Sequence, residues 1–477
     1  MSSSAGERKG YEAFGSFHTP PPAALFTSDN AMPDLPDPST FLPDAQLEDR
    51  LLFPKGKSDV DALAVIQSNQ KHFTIDLTRW TYLNHGAFGG PTRFGMRVAN
   101  AWREFAEQQP LLFNDRFLFP YVVQSIKALA KELRLKDAEE LVLLPNATAG
   151  LHAVLSSVLQ QTTAEDPVVV CFSTRYGAVR KMLQDAENQL MGLHVHEEPL
   201  TLEESYDDDA VLRRLETALA QYDKTKIALV VVDHITSNTG VVLPVERIVQ
   251  TCRAHDVPVL VDGAHGLFNL DLDLSTINAD YYVGNCHKWF ASPKGAAFLH
   301  VNKHHGVAAT RKAEIAPRVI SHGFFDGYQS AFMWQGLQDY SPWLALPKCI
   351  EYWHHQDISR CRSYMHLLIQ EATELLYMSW RMADALEQAK TFPAHKRHAM
   401  RLVRLPSTTI FGVPTNCTTQ ANTSADAKHI QDTLHHVHRI EVPVKCIEGQ
   451  LYARISGHVY NHLGQYERLA QAIQPAQ

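Results

Sequence analysis

The chain has 477 residues, 45% of them apolar and 20% charged, with a formal net charge of −8, the composition of a globular protein of two or three packed units at roughly 100–200 residues each. Its basic residues form no long run, which excludes the electrostatic footprint of a nucleic-acid binder. No apolar stretch approaches the roughly 20 residues that span a bilayer, and the first 30 residues carry neither a signal-peptide segment nor an Arg-rich transit pattern, so a cytoplasmic protein with no membrane contact is expected.

In chain order, residues 1–50 read as a disordered N-terminal arm, Ser-rich and punctuated by Pro20, Pro21, Pro22, Pro33, Pro36, Pro38 and Pro43. Residues 51–80 read as an N-terminal helical segment that opens a large α/β domain over 51–341. Within it, short apolar runs alternate with longer amphipathic segments. The predicted strands are Leu141–Leu144, Val168–Phe172, Ala228–Val232, Val257–Val261, Tyr281–Val283 and Ala296–His300. Runs such as "ALVVV" and "VPVLV" are apolar at every position, which predicts strands covered on both faces in a mostly parallel sheet. Ligands of such sheets bind beyond the strand C-termini. Polar clusters follow there, at Asn146–Thr148, Ser173–Tyr176, Asp233–Asn238, Asp262–His265 and Asn285–Lys288. Residues 342–477 read as a smaller α+β domain: a long helical stretch through Trp380, a strand near Met400–Leu405, a helix near Ala425–Arg439, strands near Glu441–Ile455 and a final helix. Seven cysteines without CxxC spacing fit reduced thiols. His354–His355 and His435, His436 and His438 have no ligand partner at metal spacing, so no metal is expected.

Lys288 lies in "DYYVGNCHKWF" just past a strand, where partial desolvation beside Trp289 and Phe290 would lower its pKa and make an amine able to form an imine. Taken alone it reads more readily as a snorkelling surface lysine. Asp262 stands at the mouth of a buried strand, where a carboxylate needs a cationic partner or caps the following turn. "LVLLPNATAGLHAVL" is a strand, a polar turn and a helix whose first N–H groups, at Ala147 and Thr148, suit a phosphate, although Asn146 and Thr148 are also ordinary caps. Beside Lys288, His287 could donate to that phosphate. Tyr176 offers a flat ring for stacking or for packing. Arg454, in "LYARISGHVYN", is a fork-shaped donor suited to a carboxylate or to a cross-strand ion pair.

Together these motifs, with "YLNHGAFGGPT", "VDHITSNTGVVLPVERIV", "VDGAHGLFNLDL" and "HKWFASPKGAAFL", resemble class V aminotransferase-fold enzymes of pyridoxal 5'-phosphate (PLP) fold type I, in the isopenicillin N epimerase-like and L-cysteine desulfhydrase-like branch. The likeness spans about 400 residues in consistent order. It implies PLP as cofactor, held as a Schiff base by Lys288, which also serves as the base at the substrate Cα. It further implies Asp262 on the pyridine nitrogen, His265 and Asn238 near the ring hydroxyl, and Tyr176 stacked on the ring. Ala147, Thr148, Asn285 and His287 would hold the phosphate and Arg454 the substrate carboxylate, with Asn84 and His85 at the entrance of a homodimer's site. One departure is Gly336-Leu337-Gln338-Asp339, where such enzymes commonly read Gly-Thr-Arg-Asp. Leu337 cannot donate a hydrogen bond, and Ser341 is the nearest hydroxyl in sequence.

The implied reaction is β-elimination from cysteine or an S-substituted cysteine, a C–S lyase. Epimerisation or transamination shares every cofactor contact, and a noncatalytic relative would keep the fold alone.

Overall fold

The computed structural model describes residues 20, 22–27, 35–53, 67–311, 314–415 and 421–473. Its centre is a seven-stranded sheet: β1 (Leu141–Leu144), β2 (Val168–Phe172), β3 (His194–Glu198), β4 (Ile227–Asp233), β5 (Val259–Asp262), β6 (Tyr281–Asn285) and β7 (Ala297–Val301). The order is β1-β7-β6-β5-β4-β2-β3. Pairs β2–β3, β2–β4, β4–β5 and β5–β6 are parallel, and β7 runs antiparallel to both β1 and β6. The all-apolar runs have the cause expected of them. Val230, Val232, Val259 and Val261 enter one core, while Leu229, Val231 and Leu260 enter the other. Alternate side chains thus bury opposite faces of one sheet. The edge strand β3 escapes the sequence reading because "HVHEE" buries only Glu198.

Helices α1 (Ala147–Gln161) and α2 (Gly177–Gln189) follow β1 and β2. Past residue 340 the expected long helical stretch is broken. Leu346–His355 ends before Asp357, whose positive φ of 64° turns the chain and whose side chain accepts from Arg360 N–H to start α3 (Ile358–Ser379). The C-terminal part carries an antiparallel sheet of β8 (Met400–Arg404), β9 (Val444–Ile447) and β10 (Gln450–Ser456), in the order β9-β10-β8. Thr81–Tyr82 pairs in parallel with Ile440–Glu441, and Leu83 joins the C-terminal core. The loop after residue 83 therefore bridges the two parts.

The stretch expected to be a disordered arm differs where it is described. Leu25, Ala45 and Leu51 are buried, Phe41 stacks on Phe105 at 4.3 Å, and Tyr121 donates to Pro36 O at 2.5 Å. Gln356 fastens the chain from both ends of its carboxamide, accepting from Leu51 N–H at 2.6 Å and donating to Asp49 O at 2.9 Å. Widely spaced apolar anchors hold this segment, a pattern that periodicity does not register. Residues 1–19 lie outside the described residues, as do 54–66 of the helical segment expected at 51–80; of that segment's described part only 67–70 is helical, and 71–80 runs as turns and loop. Among the described residues no helix is long and apolar enough to cross a membrane.

Candidate active site

The C-terminal ends of β1, β2, β4, β5 and β6 surround a cavity of about 260 Å³. Its wall includes Lys288, which is half-buried between the sheet and the loop after residue 83. Burial lowers its amine to about 8, against the opposing pull of Asp262. Its Nζ lies 3.3 Å from His265 Nε2. His265 is buried, which pushes its pKa well below the ordinary imidazole value, and it receives the indole N–H of Trp289 on Nδ1 at 3.2 Å.

Asp262 ends β5 and accepts from Ala264 N–H at 3.0 Å. Burial raises its carboxyl above the usual range. Directly across the strand pair stands Asp233, also buried and on the cavity wall. Burial first, and Asp262 second, push Asp233 well above the usual carboxylate range. The two share a site in which a single cation would settle both. In the sequence Asp233 stands only as the start of a polar cluster, because its role depends on a neighbour one strand away.

The turn into α1 provides the anion end. Asn146 caps the helix by accepting from Ala149 N–H at 3.0 Å, while Ala147 and the exposed Thr148 face the cavity. Asn285 accepts from Ala147 N–H at 2.9 Å, so it orients this turn with the oxygen of its carboxamide. His287 pairs Nδ1 with the carbonyl of Ala296 at 2.9 Å. A carbonyl only accepts, so Nδ1 carries the proton and the neutral ring offers Nε2 as an acceptor. Burial lowers its pKa to about 4. It can hold a phosphate only by taking up a second proton, which a phosphate dianion would itself favour. Tyr176, the residue before α2, also lines the cavity and is 41% exposed.

Arg454, on β10, is not itself on the cavity wall but contacts Ser237, which is. Two of its nitrogens are engaged: Nη1 by Ser237 O, and Nη2 by Asn84 Oδ1 at 3.2 Å. Its Nε is buried without a partner, and burial lowers the guanidinium to about 10. This is a buried cation waiting for an anion, rather than half of an exposed ion pair.

Three expected placements change. Asn238 is exposed and off the cavity wall, which Ser237 occupies instead. The turn is closed by Val241 N–H on Thr236 Oγ1 at 2.8 Å and by Gly240 at φ 60°, and it carries Asn238 outward. Asn84 and His85 do not line the entrance. Asn84 links Arg454 to Glu441, its Nδ2 donating to Oε1 at 3.2 Å. His85 is fully buried, bonded to Tyr460 OH at 2.8 Å and Lys288 O at 3.0 Å. Ser341 is buried and is not on the cavity wall. Leu337 is 76% exposed, while Asp339 is held by Arg103 Nη2 at 2.8 Å.

No local sequence pattern marks the cradle beneath Lys288. Three successive carbonyls each accept a buried side-chain donor: Lys288 O from His85, Trp289 O from His458 Nε2 at 2.9 Å, and Phe290 O from Trp353 Nε1 at 2.7 Å. Each such bond contributes about 0.5–1.5 kcal/mol and fixes the direction of the backbone that carries the amine. Gly89, with φ 66°, lies against the same backbone. A Cβ there would overlap His287 O and stand 2.7 Å from Lys288 O. Lys294 Nζ closes the contact from outside by donating to Gly89 O at 2.7 Å.

A desolvated amine, a buried carboxylate pair facing the cavity, a helix N-terminus and an orphaned guanidinium nitrogen form a donor set that fits PLP together with an amino acid. The aminotransferase class-V family profile matches residues 122–401. Among curated relatives, the chain is 29% identical over 447 residues to the putative L-cysteine desulfhydrase 1 of Oryza sativa subsp. japonica, covering 88% of this chain and 87% of that one. It is 28% identical over 381 residues to the isopenicillin N epimerase of Amycolatopsis lactamdurans, covering 76% and 87%. The solved complex of the cystine C–S lyase C-DES with its product cysteine persulfide shares the fold, with a TM-score of 0.62 at 18% identity over 83% of this chain and 98% of that one. The chain belongs to the class V aminotransferase family, enzymes of PLP fold type I with pyridoxal 5'-phosphate as cofactor.

Proposed function

We propose that the protein is a C–S lyase that eliminates the β-sulfur substituent of cysteine or an S-substituted cysteine, working as a homodimer in the cytoplasm. The observation that carries this reading is Lys288, the one lysine among the described residues on the cavity wall, lowered to about 8 and so available near neutral pH as a base at Cα. Arg454, through its free Nε, binds the substrate carboxylate and sets which Cα bond faces Nζ. Asp262, with Asp233 behind it, holds a proton on the pyridine nitrogen. When bound, PLP withdraws the electrons left at Cα. Lys288, now protonated, can return that proton to the departing sulfur, so one residue serves both ends of an elimination. The remaining C3 fragment hydrolyses to pyruvate and ammonia.

Similarity to L-cysteine desulfhydrases over most of both chains supports this reading. Similarity to isopenicillin N epimerases supports the second reading, epimerisation. Sulfur transfer to a cysteine is disfavoured, since no cysteine is among the described residues on the cavity wall. Exposed apolar side chains at Phe88 (74%) and Leu337 (76%) support a partner subunit. The test is incubation of the holoenzyme with L-cysteine and S-substituted cysteines. Pyruvate and sulfide are expected; their absence, together with deuterium entry at Cα, would reject the lyase in favour of the epimerase.

A further inference from the structure

We propose that Trp289 is a positioning residue for the cofactor site: its indole N–H fixes His265 in the tautomer protonated on Nε2 and prevents it from becoming a cation beside Lys288. An indole nitrogen donates and never accepts. Because Trp289 Nε1 lies 3.2 Å from His265 Nδ1, that ring nitrogen must present its lone pair, and the proton of the neutral imidazole must sit on Nε2. Nε2 in turn faces Lys288 Nζ at 3.3 Å. The Nζ partner is then an acceptor, the free amine that prevails above about pH 8, and His265 has no free position for a second proton while the indole bond holds.

The indole cannot easily turn away. Trp289 is fully buried, and its carbonyl is tied to His458. A Cβ at Gly86 would stand 3.0 Å from the indole Cζ2, so the chain closes over the ring. The other charged or titratable groups facing His265 come from three directions: Lys288 beyond β6, Arg454 on β10, and His398 just before β8. When charged, all three oppose an imidazolium at His265, so the surroundings and the indole bond act in the same sense. Trp289 does not itself line the cavity, whereas His265 does. It acts through His265, whose Nε2–H is thereby aimed at whatever group Lys288 carries.

This inference depends on cofactor binding and not on the reaction that follows. The experiment is a pH titration of the cofactor's visible absorption in four holoenzymes: wild type, Trp289→Phe, His265→Gln, and the double variant. A carboxamide at 265 can accept from the indole and donate toward Nζ, but it neither titrates nor shifts a proton between two nitrogens. Trp289→Phe alone is expected to move the midpoint by about one pH unit or more, or to add a second inflection, as Nδ1 becomes free to bind a proton. In the His265→Gln background the same substitution should leave the midpoint in place. A Trp289→Phe enzyme titrating like wild type, or an equal shift in both backgrounds, overturns the proposal. If Trp289→Phe fails to retain the cofactor, 15N-histidine NMR of the wild type decides, with the His265 signals assigned by their loss in His265→Gln. A protonated Nε2 and a bare Nδ1 support the lock; the reverse pattern refutes it.

Discussion

Replacing Gly89 by Ala tests whether the loop after residue 83 sets the position of Lys288. Two terms oppose the substitution. An L-residue at φ 66° costs about 1–2 kcal/mol, and forcing a methyl into the carbonyls of His287 and Lys288 costs roughly 1–3 kcal/mol as the backbones separate. The sum is about 2–5 kcal/mol. Unfolding entropy is about 2.1 cal/mol/K per residue, hence near 1 kcal/mol/K for 477 residues, so the thermal midpoint should fall by only about 2–5 °C. The effect on chemistry should be much larger, because a shift of about 1 Å at a reacting group can cost on the order of 10²-fold in rate. Gly412→Ala is the control: its φ is 84° and no atom lies within 4 Å of the added methyl, so it carries the backbone term without the overlap. The assays are differential scanning calorimetry, cofactor retention on gel filtration, and turnover. Gly89→Ala should lose cofactor and turnover while Gly412→Ala keeps both. Equal behaviour of the two variants would show that the loop does not position the amine.

Three further predictions follow from the charges. Lys288 has its pKa lowered from 10.5 to about 8 by burial, so the free amine prevails above about pH 8. The rate at which apoprotein captures PLP should rise with pH and level off there; a rate still climbing toward pH 10 would refute the assignment. Arg454→Met removes the orphaned Nε and should raise KM for the amino acid about 10–100-fold, at roughly 1.5–3 kcal/mol for a charged hydrogen bond, with the cofactor spectrum retained; an unchanged KM would remove Arg454 from the substrate site. Asp233 has a folded-state pKa raised by burial and by Asp262, so its contribution to stability is present at low pH and lost as pH rises through the folded value. The apoprotein of Asp233→Asn should therefore melt above wild type at neutral and alkaline pH and converge with it in acid. A variant that is less stable at every pH would refute the shared-proton reading.

Much of the site was legible because its residues follow buried strands. Asp262, Asn285 and Lys288 could be read from the apolar runs before them, since a parallel sheet brings its strand ends together whatever the length of the connections. Features set by spatial neighbours were not legible in this way. Asp233 acquires its role only from the strand register that sets it against Asp262. Asn238 and Ser237 are adjacent in the chain, and only the turn closed by Thr236 decides which faces inward. His85, His458 and Trp353 come from distant segments to hold three consecutive carbonyls, and no local pattern marks a backbone acceptor. The N-terminal stretch misled for a related reason. Proline suppresses helix and strand signals, but Leu25, Phe41 and Leu51 still dock.

The pairing of Thr81–Tyr82 with Ile440–Glu441 also sets a schedule for the nascent protein. The loop that seats Asn84, His85 and Gly89 is made early, yet the strand that anchors it emerges only when nearly the whole chain has been synthesised. At roughly 5–20 residues per second that interval is some tens of seconds. Through that time Lys288 has no cradle and Arg454 does not yet exist. Loading of the cofactor is therefore an event of the finished chain, and a truncation that removes β10 and the segments after it should leave a polypeptide unable to retain the cofactor even though its seven-stranded sheet is complete.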